Sequence, residues 1–62
     1  MNTLNLIIED IHIWNGTDDQ IMVSYEDTKT LLSFPSIDDA VNGLWLAGDK
    51  DAARQLNKEK EI

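Results

Sequence analysis

The sequence predicts an α+β fold: a three-stranded antiparallel β-meander followed by one main α-helix and a short C-terminal helix. Three observations carry this expectation. The first half of the chain alternates apolar and polar residues and is rich in Ile, Val, Leu and aromatic residues, the pattern of strands that bury one face. Short polar stretches, Asn15–Asp19 and Glu26–Thr28, interrupt that alternation at hairpin spacing. After Pro35 the apolar period changes to that of a helix, with Ser36 and Gly48 placed as start and stop signals.

The first strand is expected over 3–14. Leu4, Leu6 and Ile8 alternate in one phase, and Ile11 and Ile13 in the other. A strand of period two cannot keep both sets on one face. A bulge at Glu9-Asp10 reconciles them by inserting one extra residue; burial of the strand on both faces is the rival. Trp14 shares a face with His12, opposite Ile11 and Ile13. Asn15-Gly16 is the expected centre of the next turn, because both residues accept positive φ. The second strand spans 20–25, with Ile21, Val23 and Tyr25 on one face. The third spans 29–34, with Leu32 and Phe34 in phase.

Pro35 cannot donate to a sheet ladder and ends the sheet. Ser36 is the expected N-cap of a helix over 36–47, and Asp39 stands at the position of a capping-box acid. Ile37, Ala40, Val41, Leu44, Trp45 and Gly48 fall at helical spacing. Gly43 weakens the helix interior by about 1 kcal/mol relative to Ala. Asp49 can cap a second helix over 50–60, whose apolar side is only Ala52, Ala53 and Leu56. That thin face makes the second helix the element most dependent on a partner.

Sixty-two residues with 42% hydrophobic content give one small domain, 1–62. A chain of this size buries only about 60% of its unfolded surface, so a staple is expected. There is no Cys and one His, which excludes disulfides and thiolate metal sites and leaves oligomerisation, a homodimer, as the available staple. The most apolar run, Leu4–Ile8, is far shorter than the roughly 20 residues that span a membrane. The N-terminus has neither a basic start nor an apolar h-region, and the expected location is cytoplasmic.

Charge is the strongest compositional signal. Four acidic pairs, Glu9-Asp10, Asp18-Asp19, Glu26-Asp27 and Asp38-Asp39, punctuate the chain. With Asp49 they give residues 1–49 nine acids against one base, Lys29, a formal charge of −8; residues 50–62 carry four bases and three acids, and the total is −7. Such a chain is repelled by nucleic acid and by anionic membranes, so neither is an expected partner.

Catalysis is not expected. The chain has no Gly-rich phosphate loop. Asp10 and His12 make a two-residue metal pair without a third ligand. The spacing around Asp18-Asp19 and Asp38-Asp39 lacks the pattern of a calcium loop. Acid–base work asks for buried carboxylates, and acids in turns and first helical turns are expected to be exposed. No metal or cofactor is implied.

Two functional readings remain. In the first, the acidic pairs (Glu9, Asp10, Asp18, Asp19, Glu26, Asp27, Asp38 and Asp39) form a surface that imitates nucleic-acid phosphates and blocks a DNA- or RNA-binding protein. Their bland counterpart is turn chemistry and solubility. The near absence of bases over 49 residues exceeds what turns require. A very short acidic α+β chain without cysteine is similar in style to the small inhibitors of bacteriophages and mobile elements, although no motif carries that likeness. In the second reading the chain is an interaction or assembly module that homodimerises, or docks on a partner, through Trp45, Leu46 and the second helix, with Trp14, near the hairpin turn, as a further apolar anchor.

Overall fold

The computed structural model describes residues 4–60 and has an α+β architecture in two layers. Four strands, β1 (Asn5–Ile8), β2 (Ile11–Asn15), β3 (Ile21–Tyr25) and β4 (Thr30–Phe34), form one antiparallel sheet in the order β1-β2-β3-β4. Two helices, α1 (Ile37–Leu46) and α2 (Lys50–Lys60), cover one of its faces.

The sheet has one strand more than the sequence reading expected. The segment 3–14 is neither a bulged strand nor a strand buried on both faces; it is a hairpin. (Thr3, where that strand was expected to begin, lies outside the described residues.) Glu9 and Asp10 form a two-residue turn, and Ile8 pairs directly with Ile11. The phase flip is therefore a chain reversal. Residues opposite one another in an antiparallel pair share a face, so Leu6 and Ile13 meet, as do Ile8 and Ile11. Glu9 takes φ +54° to close the turn, a conformation that Gly or Asn adopts more readily.

The second connection also differs in detail from the expectation. Asn15 ends β2 and Gly16 is extended, while a 3-10 turn over Thr17–Asp19 reverses the chain, with Asp18 at φ +58° and Asp19 at φ +60°. The Asn15 side chain ties the start of the sheet instead: its Oδ1 accepts from Leu4 N at 2.7 Å.

Both helices form as the pattern predicts. Ser36 is the N-cap of α1, its Oγ accepting from Asp39 N at 3.2 Å. At the other end Gly48 adopts φ +91°, and the bonds Gly48 N to Trp45 O and Asp49 N to Leu44 O close a Schellman cap. Gly43 has a packing reason to be Gly: a Cβ there would lie 2.7 Å from the Phe34 ring. α2 folds back on α1 and buries Ala52, Ala53 and Leu56.

The core lies between the layers. Ile13, Ile21, Val23, Leu44 and Leu56 are its most buried large side chains. No polar or charged side chain is buried among the described residues. A hydrogen bond fastens the helical layer to the sheet at its margin. Tyr25, at the end of β3, donates its hydroxyl to Asp49 Oδ2 at 2.7 Å, and so holds the corner between α1 and α2.

Candidate interaction surface

With the helices on one side, the alternate residues of every strand face the other way. The register sorts them into two rows. Ile7, His12, Ser24 and Leu31 form one, and Asn5, Trp14, Met22 and Ser33 the other. No element of the described chain covers this face. Ile7 is 74% exposed and Leu31 59%. Trp14 and Met22, side by side at its centre, are half-buried by their neighbours. The His12 ring lies 4.7 Å from the Trp14 ring and its Nε2 is 2.8 Å from Asn5 Oδ1, so two polar members of the face, Asn5 and His12, partner one another beside the indole.

This face contains no carboxylate and no Lys or Arg, although the chain has twelve acids. The acids stand at its ends. Glu9-Asp10 and Glu26-Asp27 occupy adjacent turns at one end, joined by the bond from Glu26 N to Asp10 O at 2.9 Å. Asp18-Asp19, in the connection from β2 to β3, and Asp38-Asp39, at the start of α1, lie at the other. Strands of five residues set these two poles roughly 17 Å apart. The structure thus brings the expected acidic residues together two pairs at a time, as two poles rather than one continuous row. All eight are exposed.

The three expected apolar anchors separate. Trp14 belongs to the open sheet face. Trp45 lies in the helical layer, across the sheet from it, 45% exposed, with Lys50 Nζ 5.5 Å and the Arg54 guanidinium 6.0 Å from its ring centre. These two cations cover the indole. Leu46, at the C-terminal end of α1, is 78% exposed. Ile7, Met22 and Leu31 were not singled out by the sequence reading. Their signal was present in the alternation: once Leu32 is assigned to the core face, Leu31 must point outward.

Among the described residues, no three His, Cys, Asp or Glu side chains converge to hold a metal ion. A recess of about 160 Å³ beside Glu9, Asp49 and Asp51, and another of about 170 Å³ beside Trp45, are both smaller than the roughly 300 Å³ at which small-molecule pockets begin. No helix among the described residues is long and apolar enough to cross a membrane. Comparison of the chain with protein-family models, with curated proteins and with solved structures finds no match in any of the three.

Proposed function

We propose that this chain is a small, non-enzymatic inhibitor or regulator that acts by binding a protein partner. The observation that carries the reading is the open sheet face: apolar at its centre, free of charge, and flanked at both ends by acidic pairs. An interface of that design has a desolvated core and a charged rim. Its partner would present an apolar patch between basic flanks, the charge pattern of a surface that binds nucleic-acid phosphates. Trp14 and Leu31 would supply the buried contacts, and the poles would steer approach and select against acidic partners. Blocking of a DNA- or RNA-binding protein is the activity this surface suits best.

The test uses capture from a cell lysate with three baits: the native chain, Trp14→Ala with Leu31→Lys, and Glu26→Lys with Asp27→Lys. The reading expects a captured protein that elutes with salt, is lost from both variant baits, and releases its nucleic acid when the native chain is added. Capture equal on all three baits, or a captured protein whose nucleic-acid binding is untouched, would overturn it.

A further inference from the structure

We infer that β4 is the site at which two copies of this chain join, edge to edge, into one eight-stranded sheet. This rests on the strand's free edge and stands apart from the docking of a partner on the open face. Both outer strands of an open sheet present unpaired backbone groups, and proteins ordinarily protect such edges with inward charges, bulges or proline. β4, Thr-Leu-Leu-Ser-Phe, has none of these within it. Thr30, Leu31, Leu32 and Ser33 are all exposed.

The ladder shows which groups are free. Glu26 N donates to Asp10 O, so the even residues of β3 face β2. In an antiparallel ladder the bonded residues alternate, so Ile21, Val23 and Tyr25 bond to β4 through their partners Phe34, Leu32 and Thr30. Leu31 and Ser33 therefore turn their N–H and C=O groups outward. Two such edges, related by a twofold axis at Leu32, set Leu31 of each copy opposite Ser33 of the other.

Charge favours this pairing over the alternative edge. The same axis carries Lys29, the one base among the first 49 residues, to Pro35 and Ser36 of the second copy, beside Asp39 in the first turn of α1. Glu26 is drawn towards β2 by its bond to Asp10, while Lys29 directly precedes β4 on the edge side. Self-pairing of β1 offers no such complement. The residues that follow it are Glu9 and Asp10, and no base lies between Asn5 and Asp10. For two bodies each of charge −7, an uncharged strand flanked by Lys29, next to the acidic turn that holds Glu26 and Asp27, is the edge whose self-pairing sets a base against acids of the other copy.

Sedimentation equilibrium of the native chain is expected to show a reversible dimer; a single monomeric species at millimolar concentration would overturn the inference. Ser33→Pro removes an outward N–H and leaves the internal ladder intact. By symmetry it deletes two bonds across the interface, and it should weaken the dimer by about tenfold or more. Should that variant fail to fold, the cysteine-free sequence offers a second route. Leu32 faces its own symmetry mate in a non-hydrogen-bonded pair, whose Cα separation of about 4.5 Å suits a disulfide. Leu32→Cys should cross-link on mild oxidation about tenfold faster than Leu46→Cys. Equal rates, or loss of the dimer in Leu46→Glu, would move the interface to the helix end and overturn the assignment to β4.

Discussion

Tyr25 ties the margin of the sheet to the helical layer through a side-chain hydrogen bond. It is the only Tyr in the chain, it is half-buried, and its hydroxyl is spent on Asp49. Burial, the hydrogen bond to Asp49, and the negative charges of Asp49 and Asp10 all oppose its ionisation, and its pKa is pushed up from 10.0 to about 12. The sign of the consequence follows. The folded state holds the phenolic proton more tightly than the unfolded chain does. The stabilisation is therefore complete below pH 10 and is lost as pH rises through about 12. The phenolate absorbance of the native chain should titrate with a midpoint near pH 12, and denaturant should return it to about 10. Asp49→Asn should lower the native midpoint, because it removes the charge and weakens the acceptor, while burial keeps it above 10.0. A native midpoint at the ordinary value would show that neither the burial of Tyr25 nor its bond to Asp49 persists in solution.

At the scale of the element, the Glu9-Asp10 hairpin is strained by its own composition. Glu9 sits at φ +54°, where an L side chain costs about 1–2 kcal/mol. Glycine relieves that cost and returns part of it as extra freedom of the unfolded chain. Glu9→Gly should accordingly raise stability by about 1 kcal/mol, read as a higher midpoint in urea unfolding. A lower midpoint would mean that the Glu9 side chain does more for the turn than its backbone costs. The same strain explains why this turn was not legible. Hairpin turns announce themselves through Gly and Asn, and a Glu-Asp pair between two isoleucines reads as a defect within one strand. Asn15-Gly16 misled in the opposite sense, advertising a tight turn where Asn15 instead pairs in β2 and anchors Leu4. The helices were legible almost to the residue, because Ser36 and Gly48 supply the bonds their types predict. The open sheet face was half legible. His12 and Trp14 could be placed on one side from alternation alone, whereas Ile7 and Leu31 join them only through a cross-strand register that needs all four strands.

Across the whole molecule, charge is distributed against folding. The compact chain carries −7 within 30 × 21 × 17 Å, and its acids gather at two poles. Favourable ion pairs offset little of this. Arg54 Nη1 lies 3.9 Å from Asp51 Oδ1, both side chains exposed, and such a pair contributes well under about 1 kcal/mol. The poles lie roughly 17 Å apart along the strands, beyond the Debye length of about 10 Å at 0.1 M salt. Repulsion between poles is therefore removed first as salt is added. Repulsion within a pole, between adjacent turns such as Glu9-Asp10 and Glu26-Asp27, needs a shorter screening length and persists to higher concentration. Thermal unfolding in dilute solution should then show Tm rising with sodium chloride in two regimes, steeply below about 0.1 M and more slowly up to about 1 M. The total gain should be on the order of 1 kcal/mol, or about 4–8 °C for a domain of this size. Glu26→Gln with Asp27→Asn thins one pole without altering the fold. It should raise Tm at low salt and flatten the second regime selectively. A Tm that falls with salt would mean that attraction outweighs repulsion, and that Lys50 and Arg54 on α2 offset the acids at longer range than their distances to Trp45 and Asp51 indicate.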